Sequence, residues 1–280
     1  TIFFTWWFQS MGISHSFFPT ALFAMPFAVL LTILLVLAID RSVFRFYRLN
    51  KSRPVIFVVA SVGVMFMLNG LVRMLIGTDE IIFRDGQKFL IKAGQFKKMT
   101  GLNEGLALKQ TQVLTVVLAV VAVFLLFWFL QRTRTGKAMR AYSDNEDLAL
   151  LSGISTERVV MVTWIIAASL ATIAGVLYGL DKSFKPIVYF HLLLPIFASA
   201  IVGGIGQPVG AILGGYIVAF SEIITTYAFK KFITYLVPAN FAPEGLGQLL
   251  STEYKFAVSF LILVLVLLVR PTGIFRGRVL

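Results

Sequence analysis

Long apolar runs, each closed by a short polar stretch, set the pattern of this chain. After a stub at 1–8 that reads as the end of a span already under way, such runs occupy 17–39, 55–77, 113–130, 159–180, 187–202, 209–229 and 256–269. Several reach the ~20 residues an α-helix needs to cross the hydrocarbon. The pattern predicts an all-α fold, a polytopic transmembrane helical bundle forming one domain over 1–280. An upstream part is expected ahead of Thr1.

Composition points the same way. Hydrophobic residues make up 58% of the chain and charged ones only 14%, against about a quarter in a soluble domain. The net charge of +12 is not read as a nucleic-acid signal, because the basic residues flank spans, where the positive-inside rule puts them. Arg41, Arg45, Arg48, Lys51 and Arg53 crowd one loop, a hydrophilic island at 132–158 is a second, and Arg270, Arg276 and Arg278 close the tail. Counting spans puts all three on one side, which the rule makes cytoplasmic, C-terminus included. The other side holds 78–112, 181–186 and 230–255. The first of these is lysine-rich but tempered by Asp79, Glu80, Asp85 and Glu104. With no cysteine, disulfide and thiolate chemistry are excluded.

The island carries the first functional clue. After Arg132, Arg134, Lys137 and Arg140, the run Ser143-Asp144-Asn145-Glu146 reads as a capping box, Ser143 capping forward and Glu146 reaching back. Leu148, Ala149, Leu150 and Leu151 follow, and Gly153 supplies a left-handed stop. A short capped helix on a basic face offers a handle to a soluble partner; a solvated connecting loop is the plainer alternative.

The second clue is the run from Gly203 and Gly204 through Gly206 and Gly210 to Gly214 and Gly215. Gly206, Gly210 and Gly214 recur every four residues and would line one helix face, letting another backbone approach. Close helix packing is preferred to cargo contact, and no βαβ unit makes this a dinucleotide site. The run before it, 187–202, rises only about 24 Å, short of the ~30 Å core. Pro195 removes a hydrogen bond near its middle, so this span is expected to face a pathway. Glu222 lies inside a span, where an acid costs about 2.5–3.5 kcal/mol and must pair or face the bundle; a hydroxyl or backbone bond is preferred to cargo handling. Asn69 lies one turn before Arg73, which snorkels. His191 reads as a structural residue and His15 as part of an external turn. No metal-ligand spacing and no catalytic constellation occurs.

Thr135-Gly136-Lys137-Ala138-Met139-Arg140-Ala141, followed by Ala149, Leu151, Gly153 and Ile154, resembles the cytoplasmic loop of branched-chain amino acid ABC importer permeases. The Gly203–Gly215 run is similar to that family's glycine motif, and Glu222 falls where the family carries a glutamate. Tyr254-Lys255 and Pro271-Thr272-Gly273-Ile274 match its ending, and Ile39-Asp40-Arg41 through Arg45 a further loop motif. Pro195 stands where many members have lysine, so any role of that lysine does not carry over. The family's first span and its asparagine-phenylalanine-alanine-histidine-glycine segment are absent.

The resemblance implies a permease subunit in the bacterial inner membrane, surrounded by lipid and paired with a paralogous permease subunit. Two cytoplasmic ATPase subunits would drive it, and an extracytoplasmic substrate-binding protein would feed it. It would be no enzyme and would bind no cofactor, ATP being held by the partners. The helix at 143–153 would then be the coupling helix. The nearest alternative keeps the architecture and carries urea, short amides or another amino acid. From another class, a secondary transporter would show inverted repeats and mid-membrane carboxylates.

Overall fold

The computed structural model describes residues 1, 2, 4, 5, 7, 19–81, 89–92, 98, 107–204, 206–225, 255–270 and 273–275. His15, Asp85, Lys97, Glu104, Tyr254, Pro271, Thr272, Arg276, Arg278 and most of 230–255 lie outside them. The chain falls into two compact units, Thr1–Lys185 and Pro186–Leu280. Among the described residues, five stretches are long and apolar enough to cross a membrane: Thr20–Leu49, Pro54–Ile76, Gln110–Arg132, Thr156–Asp181 and Pro186–Gly203.

The first unit is built on α1 (Thr20–Leu49), α2 (Pro54–Ile76), α3 (Gln110–Arg132), α4 (Arg134–Asp144), α5 (Glu146–Leu151) and α6 (Thr156–Asp181). Helix α1 turns Ala21, Ala24 and Ala28 inward, and small side chains let its backbone approach a neighbour closely. Ala21 packs on Val176 and Leu180 of α6, with Leu22 and Met25 beside them. Helix α2 buries none of its residues and α3 only Thr111. At one end, β1 (Phe89–Ile91) and β2 (Leu108–Lys109) pair antiparallel, and Ile81 bridges to Phe184. These few strand residues were not expected from the hydropathy pattern.

Two expectations are corrected here. Arg41, Arg45 and Arg48 sit on α1 rather than in a loop, with a π-helical turn at Asp40–Phe44. Charge alone does not stop a helix, and no breaker occurs until Asn50. The end is a Schellman pattern with Lys51 at φ 47°, its N–H bonded to Arg48 O and that of Ser52 to Tyr47 O. The island, likewise, holds two helices rather than one.

The second unit contains α7 (Pro186–His191), α8 (Leu193–Gly203), α9 (Pro208–Ile223) and α10 (Lys255–Val269). Its core is Ala198, Val202 and Val218, covered by Ile217, Ile262, Leu263 and Val266. The run expected at 187–202 breaks at Leu192, one turn before Pro195. The cause is still that proline, whose ring crowds the carbonyl four residues back and offers it no N–H. His191 at the break stacks on Phe256, ring centroids 5.8 Å apart.

Candidate functional site

Three structural devices fix the short helix α5. The first is the corner from which α4 leaves α3. Thr133 Oγ1 accepts from Gly136 N at 3.0 Å and donates to Phe129 O at 2.7 Å. A Cβ on Gly136 would lie 2.7 Å from Leu130 Cα and overlap the Phe129 carbonyl. Only glycine fits this fold-back, which explains its place in the motif. Arg140 and Ala141 lie on the exposed side of α4, and the Ala141 carbonyl receives the N–H of Asn145 at 3.1 Å.

The second device is the N-terminus of α5. Its cap is Asn145, whose Oδ1 accepts from Leu148 N at 2.9 Å. Ser143 belongs to the last turn of α4 and makes no cap, so the expected Ser143–Glu146 capping box is wrong. The reason is that α4 runs on through Asp144, which leaves Ser143 helical, while Glu146 is bonded by the Tyr142 hydroxyl four residues back at 2.6 Å. Thr156, at the start of α6, lies beside the same phenol. Glu146 and Asp147 remain in the first turn, where the helix dipole favours acid.

The third device is the C-terminus. Gly153 stands at φ 81°. Its N–H bonds Leu150 O, and Ile154 N bonds Ala149 O, both at 3.0 Å, a complete Schellman motif. Ala149 is buried at 4% exposure, while Leu148 and Leu151 stand 63% and 86% exposed. A six-residue helix fixed at both ends thus holds an outward apolar face.

The end of the unit that carries α5 is pinned by charge. Arg45 Nη2 meets Glu157 Oε1 at 2.7 Å, and Arg48 grips both oxygens of Asp40 at 3.0 and 3.2 Å. Trp164 Nε1 donates to Asp40 Oδ1 at 2.8 Å, and its ring lies 5.6 Å from Phe44. The Arg41–Arg53 segment and the island therefore share one end. Sequence reading missed Tyr142 and Trp164 and gave Asp40 only as part of a loop motif; a carboxylate at the edge of a span, costly unless partnered, was the signal for its pairing.

In the second unit the glycine run closes a helical hairpin. A Cβ on Gly210 would overlap the Gly203 carbonyl, one on Gly203 the Gly210 carbonyl, and one on Gly214 the Ser199 carbonyl. Gly206 does not share that face: it lies in the turn before α9 at φ 87°, with Gly204 at φ 100°. The four-residue spacing continued by chance into the turn. A Cβ on Gly215 would make only an ordinary contact, 4.0 Å from Ser199. Ile274 N caps Val202 O at 2.9 Å, and Gly273, at φ 84°, fits against Gly204 and Ile201 O.

Glu222 on α9 accepts from the fully buried Ser259 hydroxyl of α10. Pro195 is half-buried in the first turn of α8, and Asn69 half-buried on α2. Among the described residues no cluster of His, Cys, Asp and Glu could hold a metal ion.

Residues 2–267 match the family model described as the permease component of branched-chain amino acid transport systems. The chain is 30% identical over 238 residues to the high-affinity branched-chain amino acid transport system permease protein LivH of Escherichia coli (strain K12), covering 85% of this chain and 68% of that one. It is 32% identical over 171 residues to the corresponding protein BraD of Pseudomonas aeruginosa, covering 61% and 49%. It is also 35% identical over 159 residues to a probable LivH of Methanocaldococcus jannaschii, covering 57% and 45%. No solved structure matches. These relatives are named as transport permeases, not enzymes, and five membrane-length helices agree. The chain is a multi-pass membrane protein and belongs to the family of branched-chain amino acid transport permeases.

Proposed function

We propose that this chain is one subunit of an ATP-driven importer of branched-chain or other hydrophobic amino acids, in the bacterial inner membrane. In this reading α5 is its coupling helix. The observation that carries the reading is the doubly capped α5 with Leu148 and Leu151 outward. Burying one leucine in a partner's groove stabilises by about 1.5–3 kcal/mol. A helix fixed through Asn145, Tyr142 and Gly153 passes on a partner's movement instead of absorbing it. Ligand binding shifts a conformational equilibrium only through contacts that differ between states, and α5 is where such contacts form.

The sequence holds no G-x-x-x-x-G-K phosphate loop, so hydrolysis is assigned to two cytoplasmic ATPase subunits. The arginine-rich end of the first unit faces the cytoplasm by the positive-inside rule, which sets α5 on the ATPase side, and the same rule applied to Arg270, Arg276 and Arg278 gives a cytoplasmic C-terminus. A paralogous permease subunit completes the pore, and residues 1–280 act as one transmembrane domain within it. Glu222, bonded to Ser259, serves helix packing, and Pro195 and Asn69 remain the candidates for the pathway wall. With so few polar groups to grip an amino acid's charged ends, selection falls to an extracytoplasmic binding protein.

The test is Leu148→Asp/Leu151→Asp in the assembled complex reconstituted with ATP and binding protein. Uptake is expected to fall at least tenfold while the permease stays inserted and ATP hydrolysis persists. Unchanged uptake would remove α5 from the coupling path. Accumulation by this chain alone on a proton or sodium gradient would replace the reading with a secondary transporter.

A further inference from the structure

We propose that the arginine-lined pocket between α1 and the start of α6 binds the phosphodiester headgroup of an anionic phospholipid. The pocket encloses about 390 Å³. Arg41, Arg45, Arg48 and Arg158 line it, against two carboxylates, Asp40 and Glu157. Four guanidinium groups against two acids leave a net charge of about two positive units, which points to an anionic ligand.

The division of labour among the arginines sharpens the assignment. Arg45 and Arg48 are committed to Glu157 and Asp40 and form the walls. Arg41 and Arg158 are exposed and have no carboxylate partner among the described residues. Guanidinium groups match phosphate oxygens in geometry and charge. The start of α6, capped by Ser155, adds the positive end of a 26-residue helix.

The apolar wall separates a lipid from a soluble phosphate. Leu37 and Met161, from the membrane-spanning parts of α1 and α6, close the side facing the spans. Leu30, Leu34, Leu37 and Arg41 are spaced four, three and four apart, so they run along one face of α1. Leu30 and Leu34 are 59% and 66% exposed on that face. An acyl chain lies along this leucine stripe when the headgroup sits on Arg41. Basic pockets between spans suit anionic lipid headgroups in this way.

The experiment is lipid binding to the full chain purified in detergent, read by native mass spectrometry. Phosphatidylglycerol, phosphatidylcholine and inorganic phosphate are titrated separately. Phosphatidylglycerol is expected to be retained at least tenfold better than phosphatidylcholine. Arg41→Ala/Arg158→Ala should weaken it on the order of 20-fold, from roughly a kcal/mol per arginine. Arg53→Ala/Lys137→Ala, with the same loss of charge outside the pocket, should weaken it less than threefold, and Arg41→Lys/Arg158→Lys, which keeps the charge and loses the planar fork, should fall between wild type and the Arg41→Ala/Arg158→Ala pair. Equal losses in the two alanine pairs would overturn the site. Displacement of the lipid by inorganic phosphate at equal concentration would reassign it to a soluble anion. Loss of the lipid when an ATPase subunit is added would mark the pocket as a protein contact instead. Both outcomes contradict the proposal.

Discussion

The Tyr142 hydroxyl donates to Glu146 Oε1 at 2.6 Å across the Asn145 corner, with Thr156, at the start of α6, beside the same phenol. One phenol therefore ties α4 to α5 beside the start of α6, at the end of the first unit where the arginines gather. Burial first, and then the bond to Glu146, raise its pKa above the ordinary phenol value. The donor accordingly stays protonated throughout the neutral range.

Tyr142→Phe keeps the ring and removes the bond to Glu146. The expected cost is about 0.5–1.5 kcal/mol of stability, the net worth of a hydrogen bond in water-accessible surroundings. In the reconstituted complex, uptake per ATP hydrolysed should fall severalfold, because α5 is left with its end caps alone. Wild-type values of both thermal stability and coupling ratio would show that the tether is idle.

Capping separates two neighbours that look alike in sequence. Asn145→Ala should destabilise α5 by about 1 kcal/mol, whereas Ser143→Ala should be neutral within about 0.5 kcal/mol. Hydrogen exchange of the Leu148 amide reports the difference directly: it should speed up in the first variant and not in the second. Equal acceleration in both would restore the Ser143 capping box.

The glycine hairpin makes a similar contrast. Gly210→Ala drives a Cβ into the Gly203 carbonyl, while Gly215→Ala meets Ser199 only at an ordinary 4.0 Å. The first should lower thermal stability by about 1–3 kcal/mol, the usual cost of overpacking, and cut uptake. The second should change neither. A tolerated Gly210→Ala would mean that α8 and α9 are not in backbone contact.

Lys51 is the one described non-glycine residue with positive φ, 47°, a region that costs a side-chain-bearing residue about 1–2 kcal/mol. Lys51→Gly relieves it and adds chain entropy to the unfolded state, for a net gain of about 0.5–1 kcal/mol. A thermal melt that rises supports the strained end of α1; a fall would show that the lysine side chain outweighs its backbone cost.

What was legible in the sequence follows from what hydropathy measures. It located the spans because the bilayer selects on length and polarity, and it located the left-handed stop at Gly153 because few residues accept that conformation. It could not say which side of an apolar helix is packed. On α1 that information lies only in the spacing of Ala21, Ala24 and Ala28, small residues among large ones. It read the arginines of α1 as a loop, although arginine is a good helix former. It chose Ser143 over Asn145 because both are capping residues, and what decides between them is that α4 extends through Asp144, a boundary that capping preference alone does not fix. Gly206 shows the opposite failure: a regular spacing that crosses a helix boundary loses its meaning there. Asp40 and Trp164 are joined across 124 positions, a separation at which periodicity is silent.

The most direct test of the coupling claim uses the absence of cysteine from the chain. Leu151→Cys introduces a single thiol at the most exposed leucine of α5. Its rate of modification by a membrane-impermeant maleimide is measured in inside-out vesicles, with and without the ATPase subunits. Rapid labelling of the permease without its ATPases, slowed at least tenfold by their assembly, is the result this account predicts. Labelling at the same rate in both states, with assembly verified, would contradict it.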